Sequence, residues 1–332
     1  MNDTPNQTHN HPLFKAFVIL LIGLVAAGSA YWYGNDAVDW YLASQYQPST
    51  AVASINTKLQ LTSKGETLFY ASDPVVEGSK AFNSDCKSVD RTQAILGCYT
   101  ARRIFVYHVT NPQLDGAEEA TAAHELLHAA YARLNVFERP YVDNLINQEY
   151  QKVKNEPQIK QLVAYYNSAE PGALTNELHS IFGTTIQNLS PQLEQYYAQY
   201  FKDRQSIVAM NQQYNAVFNT VDAQASQLSS QITALKPTVE AELSQYQTDI
   251  NQLNADITSF NAKAQSGNYS VSELQAERQA LVVRINELNA RRQAINGDVA
   301  HYNDLVAQLN ALSVTVNELT SSINAAPAAN GL

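Results

Sequence analysis

The sequence predicts a mainly helical α+β protein, with a small domain of helices and a short antiparallel sheet followed by a long antiparallel coiled-coil hairpin. Three observations carry this. The stretch Ala122–Ala130 is an alanine- and leucine-rich helix holding an H-E-x-x-H pattern. A β-branched and aromatic run, Arg102–Val109, lies just upstream and has the composition of a strand. Beyond Ser190-Pro191 glycine nearly vanishes, and apolar residues recur at alternating steps of three and four, the spacing of a heptad seam. The expected division is a disordered tail over 1–12, a membrane anchor over 13–34, the compact domain over 35–200, the hairpin over 201–324 and a disordered tail over 325–332.

The first residues, Met1 to Pro12, are polar and without periodicity. Ala16 to Tyr33 then runs 18 residues without a charge, long enough to span a bilayer core. Tyr31, Trp32 and Tyr33 close the run like an interfacial aromatic belt, and Lys15 precedes it. This predicts a single-pass anchor with its N-terminus in the cytoplasm and the rest outside. A cleaved signal peptide, processed near Gly28-Ser29-Ala30, is the competing reading. The two cysteines, Cys86 and Cys98, suit an exported chain, where they would pair as a disulfide. A net charge of −10 with no basic stripe excludes a nucleic-acid binder as the leading class.

In the compact domain, Thr50 to Leu61 predicts a helix, and Thr67 to Ala71 and Ala94 to Tyr99 predict strands. With Arg103–Val109 these strands make a small antiparallel sheet. Asn111-Pro112 ends the last strand, and Asp115-Gly116 turns into the motif helix. Tyr141 to Lys154 and Gln158 to Tyr166 follow as helices, with breaks near Pro140 and Pro157. Pro171-Gly172 marks a further turn, and Thr175 is a candidate N-cap for a helix carrying Glu177.

On a helix, positions i and i+4 share a face, so His124 and His128 can bring two imidazole nitrogens to one metal ion. Glu125 lies about 100° round, near enough to touch water on that ion. The flanks Ala122, Ala123, Leu126, Leu127, Ala129 and Ala130 make the helix apolar on nearly every face, hence buried. Buried polar groups cost about 1–3 kcal/mol each when unpartnered, and a metal partners them. Glu177 is the expected third ligand. His179, two residues on, faces the other way and is either the rival ligand or a pocket residue.

His124-Glu125-x-x-His128 followed by Asn176-Glu177-x-x-Ser180 resembles the gluzincin division of zinc metallopeptidases, over roughly Arg102 to Phe182. The resemblance implies Zn2+ held by His124, His128 and Glu177, with Glu125 as general base in peptide hydrolysis. It departs at Ile181, where the thermolysin pattern has an aspartate that orients a ligand histidine. His179, Tyr165 and Tyr166 are candidates to donate to the developing oxyanion. In such enzymes the strand before the motif helix is often a sheet edge to which substrate adds as a further strand.

The hairpin seam runs through Leu228, Ile232, Leu235, Val239, Leu243, Tyr246, Ile250, Leu253, Ile257 and Phe260. After Ser266-Gly267-Asn268-Tyr269, the pattern Ser270-x-x-Glu273 is a capping-box signature. The second seam includes Leu274, Leu281, Ile285, Leu288, Ile295 and Val299, with Arg292 on it. Pro237 predicts a kink. The expected protein is thus an anchored, extracytoplasmic zinc peptidase acting on peptides or proteins of the cell envelope. Its hairpin would be a spacer, a docking arm or a means of self-association. The rival is a non-catalytic envelope protein whose coiled coil works and whose zinc site is structural or vestigial.

Overall fold

The structure is a computed structural model and describes residues 35–87, 95–169 and 172–323. The anchor segment predicted over 13–34 lies outside the described residues. Among those described, no helix is long and apolar enough to cross a membrane. Among the described residues, contacts divide the chain into two compact units, one of those up to 215 together with 321–323, the other of 216–320.

The first unit opens in a helix over 35–45 (α1). Next come α2 (Thr50–Leu59), α3 (Ser63–Ala71), β1 (Val75–Glu77), α4 (Ser79–Asp85), β2 (Gly97–Thr100) and β3 (Arg103–Tyr107). The motif helix α5 (Ala117–Ala132) precedes α6 (Glu138–Val153), α7 (Pro157–Ala169), α8 (Leu174–Thr184) and α9 (Pro191–Tyr197). α5 is the core helix, as its composition requires. Ala122, Ala123, Leu126, Leu127 and Ala129 are fully buried, against Ile104, Val106, Leu178 and Phe182 among others. α8 crosses it closely. A Cβ on Gly183 would meet Leu127 Cδ1 at 2.2 Å and Tyr197 Cε1 at 2.9 Å, so only glycine allows this approach.

Three expectations are corrected here. Thr67–Ala71 belongs to helix α3, not to a strand. Thr62 caps it by accepting from the Gly65 N–H at 3.1 Å, and Gly65, Leu68 and Phe69 are buried at helical spacing. The sheet is mixed, in the order β1-β3-β2, with β1 parallel to β3 and β2 antiparallel to it. The strand next to the motif helix in sequence, β3, is therefore central, and β1 and β2 are the edges. The β2–β3 turn places both Ala101 (φ 50) and Arg102 (φ 65) in the left-handed region, as a tight hairpin turn demands. Arg102 Nη2 donates to Asp39 at 3.0 Å, and Arg133 Nε donates to the same carboxylate at 2.7 Å. Lastly, α8 starts at Leu174 with Ala173 in the cap position, so Thr175 sits inside the helix.

α10 (Arg204–Ser266) and α11 (Val271–Ile323) are the two long helices. α10 stays helical through Pro237. At the turn Gly267 adopts φ +72. The capping box forms as expected, with Ser270 Oγ accepting from Glu273 N–H at 3.2 Å and Glu273 Oε2 accepting from Ser270 N–H at 2.8 Å. Within the second unit the helices run antiparallel. Lys263 pairs with Glu277, Asp256 with Arg284 and Asp249 with Arg291, each pair one heptad further from the turn. These pairs occupy a seam column that the apolar pattern did not show. Leu243 and Ile285, expected on the seam, are exposed, and Arg291 rather than Arg292 faces the partner helix.

Candidate metal centre

α5 and α8 bring together the three residues singled out as ligands. Among the described residues, His124, His128 and Glu177 each offer one ligand atom, and those atoms lie within 4.8 Å of one another. His124 Nε2 and His128 Nε2 are 3.1 Å apart. Each is 3.5 Å from a Glu177 oxygen, His124 from Oε1 and His128 from Oε2. A tetrahedral zinc with bonds near 2.0–2.1 Å requires ligand atoms roughly 3.3 Å apart. The two nitrogens and the nearest carboxylate oxygen of each stand close to that spacing, and nitrogen and carboxylate donors are the set zinc accepts.

The ring orientation is fixed from behind. His128 Nδ1 donates to Asn176 Oδ1 at 3.1 Å, which leaves the Nε2 lone pair for the ligand side. An amide one residue before Glu177 thus orients His128, a candidate ligand, although Ile181 stands where the thermolysin pattern has its aspartate. Burial opposes charge on His128, but the Glu177 hydrogen bond and the Glu125 charge outweigh it and lift the imidazole to about 9. Burial likewise opposes charge on Glu177, yet the two imidazoles hold it well below the usual carboxylate range. Both directions follow from the pairing of the Glu177 carboxylate with the two imidazoles; a metal ion there would compete with the proton.

Glu125 turns from the ligand face toward the sheet and is buried. Burial pushes its carboxyl up, against the downward pull of His128 and His124. Its nearest wall is β2. A Cβ on Gly97 would stand 2.8 Å from Glu125 Cγ and Oε1, and 2.5 Å from Thr121 Cγ2. Glycine at 97 is what lets the edge strand come so close to the motif helix.

These groups line a cleft of about 570 Å³. One wall is the approach to β2 and the strand itself, from Ile95 to Tyr99. Opposite are His124, Glu125, His128 and Glu177, and Tyr166 of α7, Asn211 and Tyr214 of α10 and Ile323 at the end of the second long helix also line it. Burial raises the Tyr214 hydroxyl, keeping it protonated and able to donate. The disulfide Cys86–Cys98 forms, with Cα atoms 5.9 Å apart, and ties the end of α4 to β2 at the cleft wall.

Other sequence candidates fall elsewhere. His179 is corrected: it is fully buried and absent from the cleft lining. Its Nε2 shares a hydrogen bond with the Tyr196 hydroxyl at 2.8 Å, and its ring packs against Tyr131, Tyr196 and Tyr197. Burial, then the positive charge of His128 and His124, drives it down to about 3, so it is a neutral core histidine. His108 lies 2.8 Å from Glu118 through Nδ1, on the exposed end of β3. Tyr165 does not line the cleft, whereas Tyr166 does. Sequence reasoning missed Asn176 as an orienting group, β2 as the wall, and Asn211 with Tyr214. The Asn176 signal was adjacency to Glu177. The last two lie before the first heptad position and carried no signal.

Compared with protein-family models, curated proteins and solved structures, the chain gives no match.

Proposed function

We propose that this protein is a zinc-dependent peptidase of gluzincin type, anchored by its N-terminal apolar run with the cleft outside the cytoplasm. The observation that carries the reading is the set of spacings among His124 Nε2, His128 Nε2 and the Glu177 oxygens, 3.1 to 3.5 Å. All three residues line the cleft, which would leave a bound ion accessible to water. Neither His108 nor His179 is part of the cluster among the described residues, which favours a catalytic over a closed structural site. The disulfide and the uncharged run Ala16–Tyr33 support the placement.

When bound, a zinc ion supplies Lewis acidity and lowers the pKa of water to about 7. Glu125 then does the proton work. Its carboxylate, raised by burial, accepts the proton of the attacking water and delivers it to the leaving amine. Asn176 keeps His128 in the tautomer that binds. β2 is an edge strand among the described residues and lines the cleft, so an extended peptide would add to it as a further strand. Tyr166 and Tyr214 in the cleft replace His179 as candidate donors to the oxyanion.

The test is bound zinc and casein hydrolysis by the purified full chain, wild type against Glu125→Gln. The expected result is one zinc per chain in both, with the variant slower by about 10²–10⁴-fold. Equal rates in the two proteins would remove Glu125 from the mechanism.

A further inference from the structure

We propose that the first unit lies on the bilayer through an apolar surface built from α1 and the α5–α6 corner. This rests on the anchor reading of Ala16–Tyr33 and goes beyond it, because a tether alone would leave the unit free to swing.

The observation is a concentration of exposed apolar side chains. Among the described residues of the first unit, every large hydrophobic side chain that is exposed falls in one of two short segments. One is Val38, Trp40, Tyr41 and Leu42 on α1. The other is Val136, Phe137 and Tyr141 at the start of α6. Trp40 is 67 % exposed and Phe137 61 %. Scattered exposed residues need no explanation, but confinement of all of them to two segments does.

The two segments are neighbours. Trp40 lines one groove with Leu134, Asn135 and Glu138, residues that flank Val136 and Phe137 in the chain. Asn35 Nδ2 donates to the Arg133 carbonyl at 3.4 Å. Asp39, in the middle, is neutralised by Arg102 and Arg133 and adds no free charge.

The occupant follows from chain position and chemistry. α1 is under way at residue 35, two residues after Tyr33, the last of the apolar run. Two residues reach at most about 7 Å, so a membrane-spanning run leaves α1 at the interface. Tryptophan and tyrosine are the side chains that settle at headgroup depth. Asp36, Asp39 and Glu138 at the groove are balanced by Lys64, Arg133 and Arg102, so the face carries no excess of either sign to select a charged headgroup. Zwitterionic lipid is the matching partner, held by apolar and aromatic contact.

The test uses the full chain in phosphatidylcholine vesicles, with or without bromine on the upper acyl chain. The chain has two tryptophans, Trp32 and Trp40. Trp32→Phe leaves Trp40 as sole reporter, and Trp32→Phe with Trp40→Phe and Phe137→Trp moves the reporter to the second segment. The proposal predicts a loss of emission of about two-fold at both positions in brominated vesicles. Quenching at 40 with none at 137 overturns it, since the anchor exit would then be near lipid and the α5–α6 corner not. A blue-shifted but unquenched indole at 137 also overturns it and assigns the face to protein, such as a second copy. A chain that carbonate washing strips from the vesicles fails earlier, at the anchor reading itself.

Discussion

The α5–α8 pair and the α10–α11 hairpin both bring charged residues together, and they do so in opposite ways. In the hairpin every cross-helix contact of this kind is a matched couple, repeated at heptad spacing with side chains about a third exposed. In the centre, two imidazoles and two carboxylates crowd one place inside an otherwise apolar core, with ligand side chains 14–23 % exposed. Matched, half-solvated pairs set register and contribute little stability. An unmatched buried cluster is costly, and it persists in a fold when a further ion completes it.

Three experiments sharpen that contrast. The largest effect is expected for Arg204→Ala. This guanidinium is 4 % exposed, pairs with Glu194 and donates to the Phe182, Ile186 and Gln187 carbonyls at the end of α8. Its loss should cost about 3 kcal/mol in denaturant unfolding, because the carbonyls lose their donor in a buried place. Asn176→Ala comes next and acts on the metal alone. Zinc affinity, measured by competition with a chelating dye, should weaken about 10–100-fold while thermal unfolding of the metal-free protein barely moves. The smallest effect belongs to the hairpin. A double-mutant cycle on Asp249→Ala and Arg291→Ala should return a coupling below about 1 kcal/mol. A coupling as large as the Arg204 effect would erase the distinction between the two regions.

Much of the centre was legible in the sequence because helical periodicity alone fixes His124 and His128 on one face. Glu177 was legible through the pattern around it. The same arithmetic put His179 on the opposite side of α8 from Glu177, and the structure shows where that side leads, into Tyr131, Tyr196 and Tyr197. What stayed hidden depended on partners distant in sequence. Thr67–Ala71 is rich in strand-formers, and only the cap at Thr62 and the packing of Leu68 and Phe69 make it helical. That β2 rather than β3 is the edge follows from β1 pairing with β3, which no local pattern encodes. In the hairpin the apolar seam was visible. The ion-pair column was not, since Asp249, Asp256 and Lys263 on one helix resemble ordinary solvated positions until the facing helix is in register.

The most direct test of the central claim is X-ray absorption at the zinc edge on the zinc-loaded full chain. The account predicts two imidazole nitrogens, a carboxylate oxygen and one exchangeable water oxygen, with the carboxylate contribution lost in Glu177→Ala. A shell filled by four protein donors, or one unchanged by Glu177→Ala, would contradict it.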